Sequence, residues 1–123
     1  MYKRQGITVS DSSLTVLDPC AGFGGRLLGF LASKKGGDYI GVDPNTALIP
    51  CYRDLTERVR RYSPEVAKRK AFRMVVGCAE TVDWPHESGH KPGSVDIVLT
   101  SPPYFDTERY TNEPTQSLSL IHI

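Results

Sequence analysis

The chain is expected to fold as an α/β domain built on a parallel sheet with flanking helices. Three observations predict this: strand-like apolar runs alternate with stretches of helical periodicity, a glycine-rich turn joins the first strand to the first helix, and the second strand ends on an acidic residue. In such sheets the crossovers are right-handed and ligands sit at the carboxyl ends of the strands.

Residues 14–17 are a short, partly β-branched apolar run that stops at Asp18-Pro19, as a buried strand ending in a turn does. Gly22, Gly24 and Gly25 follow, and residues 26–32 make a helical stretch closed by Gly36-Gly37. Residues 39–42 form a second strand running into Asp43-Pro44-Asn45, and residues 46–62 carry apolar positions at helical spacing until Pro64 breaks the pattern. A third strand is expected over 72–76, a Pro/Gly-rich loop over 84–93, and a fourth strand over 95–99 that runs into Ser101-Pro102-Pro103-Tyr104. Three turns therefore fall at the ligand-binding edge: 18–25, 43–45 and 101–104.

A chain of 123 residues with 39% hydrophobic and 24% charged residues has room for one core. Its formal charge of +1 supplies no global field toward a polyanion, so nucleic-acid contact must come from a local patch or from further chain. Cys20, Cys51 and Cys78 are odd in number and widely spaced, which fits a reducing, cytoplasmic compartment better than a disulfide framework. No apolar stretch is long enough to span a bilayer, so no membrane partner is expected, and oligomeric state is left open.

The first turn, Asp18-Pro19-Cys20-Ala21-Gly22-Phe23-Gly24-Gly25, carries small residues that let backbone approach a ligand at a helix N-terminus. Taken alone it also suits a dinucleotide-binding turn or a plain tight turn, although Leu27 occupies the third position of the G-x-G-x-x-G fingerprint. Asp43 is an acceptor for two ribose hydroxyls in either nucleotide reading, or else an Asx turn before the next helix. The most specific signal is Ser101-Pro102-Pro103-Tyr104, in which two prolines stiffen a turn that presents an aromatic ring, against the plainer alternative of a Pro-Pro loop with a half-buried tyrosine.

In this order the motifs resemble those of S-adenosylmethionine-dependent amino-group DNA methyltransferases, the N6-adenine and N4-cytosine family. The first turn resembles motif I, with Cys20 where the family usually has an aromatic, and the Ser101 turn resembles motif IV. The resemblance implies a Rossmann-like class I methyltransferase core that is truncated in this sequence, over residues 1–117. It implies S-adenosylmethionine as cofactor, held by Asp18, Ala21, Gly22, Gly24, Asp43 and the backbone of Ala79. Cys78 stands where the family often has a carboxylate. It also implies DNA as partner, with Ser101 Oγ and the Pro102 carbonyl polarising an exocyclic amine, and Pro103 and Tyr104 completing the catalytic turn against a flipped base. Methylation of an RNA base and nucleotide binding without catalysis are the alternatives.

Two further features point elsewhere. His86-Glu87-Ser88-Gly89-His90 matches H-E-x-x-H, but Pro85, Pro92 and Gly89 oppose the helix that zinc ligation needs, so no metal is expected. Arg58, Arg60, Arg61, Lys68, Arg69 and Lys70 are expected to form a solvated basic face. About thirteen residues precede the first strand, too few for the family's motif X, and four strands of the larger methyltransferase sheet are read, which leaves the fourth strand's edge open. Residues 118–123, Leu-Ser-Leu-Ile-His-Ile, match the translation of a transposon-end adaptor used in sequencing-library preparation, and are expected to lie outside the fold.

Overall fold

The structure, a computed structural model, describes residues 13–102. The order is β1 (Leu14–Asp18), α1 (Gly25–Ala32), β2 (Gly37–Asp43), a 3-10 turn (Thr46–Leu48), α2 (Ile49–Tyr62), α3 (Pro64–Arg69), β3 (Lys70–Val76), α4 (Trp84–Ser88) and β4 (Ile97–Val98). The strands form one parallel sheet in the order β3-β2-β1-β4. Leu14 pairs with Gly37 and Gly37 with Lys70, so three strands start level; β2 and β3 end level at Asp43 and Val76, whereas β1 ends at Asp18, opposite Gly41. The α/β arrangement expected from the alternation of elements is the one observed.

Periodicity explains the packing on one face. Leu27 and Leu31 lie four apart on α1, Leu55 and Val59 four apart on α2, and both pairs meet Val16, Tyr39, Phe72 and Met74. Burying each such aliphatic side chain contributes about 1.5–3 kcal/mol before entropy is counted. Strand alternation turns Arg73 to the opposite face, where its Nη1 donates to the Glu87 carbonyl of α4 at 2.6 Å. β2 is buried on both faces, with Tyr39, Ile40 and Val42 almost inaccessible. Ile97, Val98 and Leu99 on and beside β4 are exposed.

Several elements depart from expectation. The segment over 46–62 is divided, because the Asn45 side chain accepts from the Ala47 N–H and opens a tight turn before α2 proper begins. Pro64 ends α2 and also starts α3, whose first position needs no N–H donor. The expected loop over 84–93 contains α4, capped by the Asp83 side chain on the His86 N–H. Gly89, at φ 71°, ends that helix, so His86 and His90 do not share a helix face. The fourth strand is shorter than expected, although Asp96 and Leu99 still donate to Thr15 and Leu17 on either side of it.

Lys70 corrects the expected basic face. It is buried, and its Nζ donates to the carbonyls of Phe30, Leu31 at 3.0 Å and Ser33 at 2.6 Å, and to Ser33 Oγ at 2.9 Å. A cation thus sits among the carbonyls at the end of α1, where the helix dipole is negative. Arg58, Arg60, Arg61, Lys68 and Arg69 are exposed, with Arg58 paired to Asp54. Among the described residues, no helix is long and apolar enough to cross a membrane.

Candidate functional site

The chain builds outward from β1 to β2 and β3, then returns to place β4 on the other side of β1. That reversal makes the carboxyl ends of β1 and β4 a topological switch point, where open α/β sheets bind ligands. Backbone bonds draw the strand ends together: Ala21 N–H donates to Val42, Gly77 N–H to Asp43, and Leu99 N–H to Leu17. The expected turns at 18–25 and 43–45, the Ala79 loop and Ser101-Pro102 therefore lie along one edge. Pro103 and Tyr104 lie outside the described residues.

Asp18 works from beneath the turn. It is fully buried, and its carboxylate accepts from Arg26 Nε at 2.6 Å, Arg26 Nη2 at 3.2 Å, the Cys20 N–H at 3.3 Å and the Tyr39 hydroxyl at 2.5 Å. These bonds tie the turn to β2 and to α1. Arg26 completes the anchor by donating to the Cys20 carbonyl, and the carboxylate raises its pKa further. Burial, then the bond to Asp18, pushes the Tyr39 phenol up, so it remains a donor.

Above this anchor the turn is backbone. Gly22 and Gly24 adopt φ 55° and 85°, a region that costs other residues about 1–2 kcal/mol, and the Gly24 position is the N-cap of α1. A Cβ at Gly22 would meet nothing within 4 Å, so this glycine serves conformation and an open approach. Ala21 is buried. Cys20 is half-buried and accepts a side-chain hydrogen bond from Thr100, which joins the β1 turn to the end of β4. Burial pushes its thiol pKa up, reinforced by Asp18, Asp43 and Glu80, so the sulfur stays protonated and is a poor nucleophile.

Asp43 forms the Asx turn that was its structural alternative and also bonds the glycine turn. Its Oδ1 accepts from the Asn45 N–H at 2.9 Å, forming an Asx turn, and its Oδ2 accepts from the Gly22 N–H at 2.8 Å. An ionised carboxylate has about four lone-pair directions, so one on each oxygen remains for further donors. Asp43 also opens onto a cavity of about 370 Å³ between α2 and β3, walled by Tyr52, Phe72 and Met74.

Comparison with family models, curated proteins and solved structures found no match.

Four side chains that sequence reasoning missed shape this edge. Arg26 and Tyr39 hold Asp18, and the Tyr52 hydroxyl donates to the Gly22 carbonyl. Trp84 Nε1 donates to the Ala79 carbonyl at 3.1 Å, so that carbonyl is engaged from below by the indole. Only Trp84 carried a usable signal, as an indole N–H needs a partner when part-buried; Arg26 and the tyrosines read as ordinary helix and core positions. Ser101 and Pro102 are exposed beside the Cys20–Thr100 contact. No group of three or more possible metal ligands occurs among the described residues.

Proposed function

We propose that this edge binds S-adenosylmethionine and that the chain is the cofactor-binding part of a methyltransferase acting on an exocyclic amino group of a DNA base, adenine N6 or cytosine N4. The observation that carries the reading is Asp43: an acidic residue at the end of β2 that is bonded to the glycine turn and keeps acceptor capacity on both oxygens. Two ribose hydroxyls need such a pair of acceptors. We read the β3-β2-β1-β4 order as the first half of a Rossmann-like class I core. Leu27, buried under the turn where a dinucleotide fold uses glycine for close helix packing, favours this cofactor over NAD.

The residues divide the work. Gly22 and Gly24 let the ligand approach backbone, Ala21 and the Ala79 backbone flank it, and Asp18 with Arg26 keeps the turn in place. S-adenosylmethionine supplies an electrophilic methyl group on a sulfonium. Ser101 Oγ and the Pro102 carbonyl accept the amine hydrogens, which draws the nitrogen lone pair out of conjugation and toward the methyl. On the resemblance, Pro103 and Tyr104 hold the flipped base by rigidity and stacking. Positioning supplies most of the rate, and the amine proton leaves after transfer.

Calorimetric titration with S-adenosylmethionine, S-adenosylhomocysteine and NAD tests the cofactor. Saturable binding of the first two, lost in Asp43→Ala, is expected; binding of NAD alone overturns the reading. Transfer of labelled methyl to DNA and not to RNA tests the substrate.

A further inference from the structure

Both peptide planes that meet at Gly22 are held by the second strand and its helix. The N–H of one donates to Asp43 Oδ2 at 2.8 Å, and the carbonyl of the other accepts from the Tyr52 hydroxyl. The Tyr52 ring also lies against the turn, since a Cβ at Gly24 would come within 3.5 Å of Tyr52 Cε1. A residue thirty positions along the chain therefore fixes both the rotation about Gly22 and the surface of Gly24. Burial, with Asp43 and Asp18 adding to it, raises the Tyr52 phenol pKa and keeps the hydroxyl a donor at neutral pH.

We infer that Tyr52 is a positioning residue of the candidate site: it locks the Gly22 peptides so that the glycine turn and the Asp43 carboxylate are held at one fixed spacing before a ligand arrives. Glycine at positive φ has the widest conformational freedom of any residue, so a turn left unclamped must be ordered on binding. A preorganised turn avoids that cost, and affinity rises accordingly. This inference rests on the proposal that S-adenosylmethionine binds here.

The test compares the full chain with its Tyr52→Phe variant, which keeps the ring and the cavity wall and removes only the hydroxyl. Affinity for S-adenosylmethionine is expected to fall roughly five- to tenfold, the size of one hydrogen bond's net contribution. In the ligand-free protein the Gly22 amide resonance is expected to move, although Tyr52 does not bond to that N–H. Losses in the double variant Tyr52→Phe/Asp43→Asn should total less than the sum of the single losses, because both act through Gly22. An unmoved Gly22 amide, or wild-type affinity in Tyr52→Phe, overturns the assignment while leaving the cofactor reading intact. A wild-type chain that binds neither S-adenosylmethionine nor S-adenosylhomocysteine sinks that reading, and the assignment of Tyr52 with it.

Discussion

Arg26 and Asp18 make a two-point contact beneath the glycine turn, with Nε 2.6 Å from Oδ2 and Nη2 3.2 Å from Oδ1. The fork geometry holds a carboxylate that has no access to water, and the same guanidinium donates to the Cys20 carbonyl. One side chain of α1 thus closes the loop that leads into α1.

Removing the guanidinium leaves Asp18 buried with only Tyr39 and the Cys20 N–H as donors. Arg26→Met is expected to cost about 3 kcal/mol, the lower end for breaking a buried pair, because 27% of the Arg26 side chain is exposed. In a domain of this size that lowers Tm by at least about 10 °C, measurable by thermal denaturation. Arg26→Lys keeps the charge and loses the fork, so it should fall between the two. A melting temperature unchanged in Arg26→Met would remove the anchor role.

Alkaline pH should destabilise the fold through Tyr39 and Tyr52. Both phenols have pKa values raised by burial above the ordinary 10.0. Between about pH 10 and the folded-state values the unfolded chain binds fewer protons than the folded one, so stability is full below about 10 and declines above it. Each tyrosine contributes up to about 1.4 kcal/mol per pH unit. Denaturant titrations from pH 9 to 11 should show this decline, and Tyr39→Phe should make it shallower.

Lys70 gives the clearest case of charge used as a helix cap. Lys70→Met retains the length of the stem but takes a donor from the carbonyls of Leu31 and Ser33 in a part-buried place, while the Phe30 carbonyl keeps the Ser33 N–H and hydroxyl. A loss of about 2 kcal/mol is expected from chemical denaturation. Because Lys70 sits at the amino edge of the sheet, far from the candidate site, ligand affinity in the folded variant should not change. A simultaneous loss of affinity would mean that α1 moves as a unit with the glycine turn.

Local pattern carried the fold. Alternating apolar runs and helical spacing located the four strands among the described residues and α1, and Asp43 was visible as an acid closing the second strand after a glycine-rich turn. The missed parts depend on partners distant in sequence. Lys70 meets Ser33 across 37 residues and Tyr52 meets Gly22 across 30, and nothing near either residue announces the contact. Lys70 looked like one more member of a basic run, and Tyr52 like one more apolar position on a helix. α3 and α4 were hidden for another reason: prolines that read as breakers instead occupy first-turn positions, where proline is favoured.

Trp84 offers an optical report on the site. It is the chain's single tryptophan, and its indole donates to the carbonyl of Ala79, the residue expected to contact the cofactor by its backbone. The loop between them is a closed turn, with the Thr81 and Val82 N–H groups both donating to the Cys78 carbonyl. Any ligand that touches Ala79 therefore pulls on a short, braced segment ending at the indole. Emission should change on addition of S-adenosylmethionine and saturate at the calorimetric Kd, with no change in Asp43→Ala. Trp84→Phe should lose about 1 kcal/mol of stability with the hydrogen bond and weaken binding a few-fold, since Ala79 would then be free to shift. Unaltered emission at saturating ligand would take Ala79 out of the contact set and leave the cofactor held by the β1 turn and Asp43.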